Sequence, residues 1–153
     1  MSKISQALGS KYQENKLSIL TRKFTIGDYT AKVRVPNVKE MEVIYEYFKN
    51  PNEDDVEKTY QQLLSLLTAE ELEEVTKTGM VGGRSLRETA KNKTVIQYRI
   101  VEYIKFLIPE NGESLADLEY SDVEEEYPFA IQLALVDKIH EVISPEYKEI
   151  HAK

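Results

Sequence analysis

Between Leu20 and Val35 apolar and polar side chains alternate with a period of two around a Gly27-Asp28 pair. A period of two is the signature of a strand with one buried face. Gly27 and Asp28 suit the centre of a type II′ turn, whose first central residue wants positive φ. That register pairs Ile26 with Tyr29, Phe24 with Ala31, Arg22 with Val33 and Leu20 with Val35 on one face, apolar apart from Arg22. Thr21, Lys23, Thr25, Thr30, Lys32 and Arg34 fall on the other face, which is basic and wet. The pattern predicts a β-hairpin within 19–36. A two-stranded ribbon is marginal in water by itself, so this one needs a packing partner or further pairing.

Beyond Pro36 the period lengthens to that of a helix. Asn37 and Glu40 form a helix-start box for a segment reaching Lys49, with Met41, Ile44, Tyr45 and Phe48 on one face. A second helix is predicted over about 53–67, with a stripe from Val56 to Leu67. Thr68 and Glu71 start a third that stops near Gly79. "GMVGGRS" reads as a loop. Ser85 with Glu88, then Thr94 with Gln97, offer two successive helix starts before "TVIQYRIVEYIKFLIP", which runs to the proline. An acidic linker follows, then a helix from about Pro128 to Ile143, and Ser144-Pro145 restarts a short C-terminal turn. Residues 1–16 carry only scattered apolar side chains and read as a mobile or weakly helical tail. The expected fold is mainly α (α+β): a hairpin at 19–36, then a helical body at 37–153 forming a compact bundle of five to six helices, all in one domain over 17–153.

Two helices are apolar over too wide an arc for a simple surface helix. In 95–108 the apolar positions leave no broad polar face, and in 128–143 they cover more than half the circumference. Such arcs fit either deep burial or an additional partner surface, with Tyr98, Val101, Phe106, Phe129 and Leu133 as candidate contacts.

The chain has 153 residues, 41% hydrophobic and 31% charged, and carries a net charge of −7. That sum argues against a dedicated nucleic-acid binder, which needs clustered Lys and Arg. No apolar run approaches the ~20 residues of a membrane helix, and the N-terminus lacks the apolar centre of a signal peptide. With no cysteine, disulfide and thiolate chemistry are excluded, which fits a cytoplasmic setting. Charge alternates in blocks: residues 106–126 hold eight carboxylates and no basic side chain, whereas 77–105 hold seven basic and two acidic ones. Blocks of opposite sign can meet inside one fold or between copies.

Candidate chemistry is sparse. The two histidines, His140 and His151, have no sequence partner at metal-ligand spacing and read as surface residues. Gly79, Gly82, Gly83 and Arg84 could hold an anion at a helix start, but the stretch lacks a P-loop ending and reads as a flexible connection. "DLEYSDVEEE" lacks the alternating oxygens and turn glycine of a calcium loop. The expectation is no cofactor, no metal and no enzymatic activity.

A hairpin running straight into "VRVPNVKEMEVI", a set of helices and a late "YPFAIQLALVDKI" helix together resemble the tail assembly chaperones of long-tailed, siphovirus-like bacteriophages over about 20–150. The resemblance implies a non-catalytic assembly factor that binds the aggregation-prone tape measure protein, helps recruit tail tube protein, acts in many copies and is absent from the mature virion. It also implies the host cytoplasm as the place of action, with neither nucleic acid nor membrane as partner. The hairpin's unpaired edges themselves suggest an association device, exposing a strand edge to another copy in a homo-oligomer or to a partner, with Lys23, Thr25, Lys32 and Arg34 as candidate self-association residues. The alternative is an acidic helical inhibitor, either an immunity protein or a nucleic-acid mimic. Titration of the purified protein with calcium or zinc is expected to show no stoichiometric sub-micromolar binding; such binding would contradict this sequence reading.

Overall fold

The computed structural model describes residues 2–145; His151 and most of the C-terminal turn lie outside them. The fold is mainly α with an N-terminal β-hairpin, and its residues group into two compact units where the sequence suggests one body. One comprises the chain up to Glu40 and from Val101 onward; the other is Met41–Ile100.

The first unit opens with α1 (Lys3–Ile19), where the sequence suggests a tail. Ser2 caps it by accepting from the Ser5 N–H at 3.1 Å. Gly9, at φ 82°, breaks it, so that Gln13 Nε2 reaches back to the Ser5 carbonyl at 2.9 Å. Ile4, Leu8, Leu17 and Ile19 stay exposed, which explains why no buried stripe marks this helix in the sequence.

The hairpin has the expected register. β1 (Thr21–Ile26) pairs with β2 (Tyr29–Arg34), Arg22 opposite Val33 and Phe24 opposite Ala31. Gly27 takes φ 59°, which an L side chain adopts only under strain. Ala31 and Val33 are buried while Lys23, Thr25 and Lys32 are exposed, so the apolar face points inward.

A third piece of backbone, which the sequence reading lacks, completes the ribbon. Arg34 N–H donates to the Phe106 carbonyl at 2.8 Å and Ile108 N–H to the Lys32 carbonyl at 2.9 Å, bridging Val33 to Leu107. This corrects the expected helix end: α5 (Leu86–Ile104) stops four residues before the predicted limit. Pro109 biases Ile108 towards extended backbone, which suits the single bridge that Leu107 makes to Val33 after the last turn of the helix.

α7 (Phe129–Ile143) packs on both strands. Arg22, the lone charge on the inner face, donates through Nη1 to the Val142 carbonyl and, at 3.0 Å, to the Ser144 carbonyl. A cation there satisfies orphan carbonyls and opposes the negative helix end. The core gathers Val33, Tyr103, Phe106, Val123, Ile139 and Val142. The supposed acidic linker holds a short helix, α6 (Tyr120–Glu126), whose only buried residue is Val123. One apolar anchor among carboxylates leaves no periodicity to read.

In the second unit, α2 (Val38–Lys49) enters from the first through the reciprocal box of Asn37 and Glu40, at 2.8 and 3.2 Å. α3 (Glu53–Leu64) is capped by Asn52, and α4 (Ala69–Thr78) by the Thr68–Glu71 box. Gly79 ends α4 in the left-handed conformation. The predicted loop "GMVGGRS" is instead a miniature ribbon, β3 (Met80–Val81) paired with β4 (Arg84–Ser85) about Gly82-Gly83. Both turn glycines have positive φ, as a two-residue hairpin turn allows. The second helix start at Thr94 does not occur. Thr94 is buried inside α5, and its hydroxyl oxygen lies 2.8 Å from the Ala90 carbonyl and 3.0 Å from Thr59 Oγ1, so its one proton is shared between those two acceptors.

Val33 is fully buried, at 0% exposure, so Val33→Asp is expected to cost at least about 3 kcal/mol through burial of a charge. Lys32→Glu, one residue away and exposed, is expected to stay within about 0.5 kcal/mol. Paired urea or thermal melts measure both.

Candidate interaction surface

The outward side chains of the first unit form two surfaces. On α7, Leu135, Val136, Ile139 and Val142 turn into the core. Phe129 and Leu133, one helical turn apart, remain 52% and 40% exposed. Glu124, Glu125 and Glu126 on α6 are exposed just upstream. Their placement is set by Gln132, itself buried, which accepts from the Tyr120 hydroxyl at 2.8 Å and donates to the Tyr127 carbonyl at 3.0 Å. Burial, then the charge of Glu124, pushes the Tyr120 phenol up, opposed by its bond to Gln132. Tyr127 is likewise raised, by burial first, then by Glu126 and by Tyr29 at the hairpin tip. Tyr29 is itself exposed. The result is an apolar strip that follows an exposed run of carboxylates in the chain.

Of the five residues proposed as client contacts, Phe129 and Leu133 lie on this strip. Val101 and Phe106 do not: both are buried, and Phe106 spends its carbonyl on β2 and its ring beneath the Arg34 guanidinium at 5.6 Å. Val101 on α5 and Phe106 just beyond its end owe their apolar character to burial. Tyr98, in the second unit, is committed locally. Its ring stacks on Tyr47 at 4.2 Å, and its hydroxyl donates to Asp55 and accepts from the Asn52 N–H at 3.1 Å. Burial first, then the bond to Asp55, raises the phenol pKa far above its usual range, so it stays neutral.

On the hairpin, Lys23, Thr25 and Lys32 are exposed on the outer face. Arg34 is half-buried and already engaged. Its guanidinium bonds Glu40 at 2.8 Å and its amide is taken by Phe106. The four residues of the predicted anion loop are separated by role: Gly79 ends α4, Gly82 and Gly83 form the turn, and Arg84 sits in β4. His140 is solvent-exposed on α7, its Nδ1 3.1 Å from the buried Tyr103 hydroxyl. Among the described residues no cluster of His, Cys, Asp and Glu could hold a metal ion, and no helix is long and apolar enough to cross a membrane.

Sequence reasoning missed the backbone of 106–108 and the Tyr47–Tyr98 stack. The first left a signal in the Ile108-Pro109 pair. The second left none, because a stacked pair from distant helices has no local pattern.

No protein-family model, curated protein or solved structure matches the chain.

Arg34, by hydrogen bonding, lowers the Glu40 carboxyl from 4.5; partial burial opposes this and the Asn37 N–H assists. A lowered carboxylate pKa adds stability above the ordinary range and loses it as pH falls through the folded value. Glu40→Gln is therefore expected to cost about 0.5 kcal/mol at neutral pH, the exposed pair being screened by solvent. The difference from wild type should shrink below about pH 4, as denaturant melts across pH would show.

Proposed function

We propose that this protein is a non-catalytic tail assembly chaperone of a long-tailed bacteriophage, one that keeps the tape measure protein soluble and helps bring tail tube subunits to it. The observation that carries this reading is the exposed Phe129–Leu133 pair on α7. Side chains at i and i+4 present a ridge that an amphipathic client helix can seat against. The Glu124–Glu126 run supplies charge that keeps the protein and a bound client in solution. Resemblance in the order of parts, from hairpin through "VRVPNVKEMEVI" to "YPFAIQLALVDKI", adds the phage context.

The same carboxylates favour the alternative of an acidic inhibitor, and the two readings predict opposite mutational patterns. Co-expression with a tape measure protein, followed by fractionation and light scattering, is expected to show a soluble client with wild type. Phe129→Asp with Leu133→Asp should return the client to the pellet, while circular dichroism and melting stay near wild type because both sites face solvent. Replacing Glu124, Glu125 and Glu126 by Gln should leave client solubility largely intact. Equal solubility with the Phe129/Leu133 variant, or no effect of wild type, overturns the proposal.

A further inference from the structure

In an antiparallel ribbon, residues opposite each other alternate between pairs that exchange backbone bonds and pairs whose N–H and C=O groups point away from the partner strand. The bonds that Lys32 and Arg34 make to Ile108 and Phe106 show that these two residues turn their backbone groups away from β1. Their partners in the register are Lys23 and Thr21, and the next pair of the same kind is Thr25 with Thr30. The backbone groups of Lys23 and Thr25 therefore point out from the far edge of β1. Among the described residues no backbone bond is made to them. One edge of the hairpin is closed by 106–108; the other is unpaired among the described residues.

The outer face of that open edge has a particular charge. Lys23 and Lys32 are directly opposite and both exposed. Among the described residues no carboxylate pairs with either. Like charges in a cross-strand pair are unfavourable, most of all in the close, non-hydrogen-bonded arrangement. A second copy of β1 laid antiparallel on the first would add further lysines to the row. A strand carrying a carboxylate beside Lys23 would relieve the repulsion and complete the ladder.

We propose that the β1 edge is a strand-addition site for an extended, acidic segment of a protein partner, with carboxylates on alternate residues facing Lys23 and Lys32. Main-chain bonds to Lys23 and Thr25 hold the segment, and the lysine pair selects it. The site uses backbone groups of β1 and not the side chains of α7, so it stands independently of the client-holding reading.

The probe is a short synthetic peptide alternating Glu with Val, followed by NMR on the full chain. Its binding is expected to slow amide exchange at Lys23 and Thr25 without changing the already bonded Arg34 amide. A Gln-for-Glu peptide should bind about tenfold more weakly, and an increase from roughly 0.05 to 0.5 M salt should weaken the Glu peptide similarly. N-methylation of the peptide's alternate amides should abolish binding. Lys23→Pro, which removes an edge donor that the hairpin does not use, should do the same, while melting confirms the fold. Lys23→Glu with Lys32→Glu should reverse the preference towards a Lys-for-Glu peptide. Unchanged binding of the N-methylated peptide would mean simple charge attraction and would overturn the proposal. So would dimerisation through β1 without peptide, or no binding up to about 2 mM.

Discussion

Two backbone bonds, Arg34 N–H to the Phe106 carbonyl and Ile108 N–H to the Lys32 carbonyl, hold together parts of the chain some seventy residues apart. Without them the hairpin would be a marginal two-stranded ribbon with both edges open. With them, Val33 lies between its β1 partner Arg22 and the bridge to Leu107, fully buried. Phe106 fills the core below it, its ring also meeting the Arg34 guanidinium. The end of α5 and the hairpin are thus one structural problem. A helix that continued to the proline would leave β2 uncovered, and a hairpin that failed to form would leave the Phe106 carbonyl and the Ile108 amide without these partners.

The inner face of the sheet then sets the position of α7. Arg22 would be a defect on an apolar face, yet its guanidinium meets the carbonyls of Val142 and Ser144 at the helix end. Burial of a charge is tolerable where it replaces water for groups that need donors. At the other end of α7, Gln132 performs the matching task for Tyr120 and the Tyr127 carbonyl. Polar groups at both ends orient α7, and the apolar strip of Phe129 and Leu133 faces outward as a consequence.

The second unit is held differently. Its polar contacts are threonine and tyrosine hydroxyls: the buried Thr59–Thr94 pair and the Tyr98 hydroxyl between Asp55 and the Asn52 amide. Arg87 adds an ion pair to Glu57 at 2.8 Å and sits over the Tyr60 ring at 4.0 Å. These staples join helices of the same unit that are distant in sequence. They explain why Tyr98, apolar in the helical projection, is engaged with neighbours within its own unit.

Local chemistry was legible. The Gly27-Asp28 turn, the Asn37–Glu40 and Thr68–Glu71 boxes and the Gly79 stop all act within a few residues, and each stands where pattern placed it. Period alone also separated the inner from the outer hairpin face, and so placed Lys23 and Lys32 in solvent. What pattern could not supply was anything defined by a distant partner. Periodicity reports that Val101, Phe106, Phe129 and Leu133 are apolar, and the same arc serves a core or a surface. Only the tertiary packing of α5, the segment after it and α7 buried the first two and left the last two exposed. α6 was missed, and α1 was read only as a mobile or weakly helical tail, because they bury almost nothing and neither leaves a stripe. The sequence by itself determined the turns, caps and strand faces, since those energies are local. The tertiary structure alone decided which hairpin edge is closed, because that depends on backbone bonds to residues 106–108, whose own sequence reads as the end of a helix.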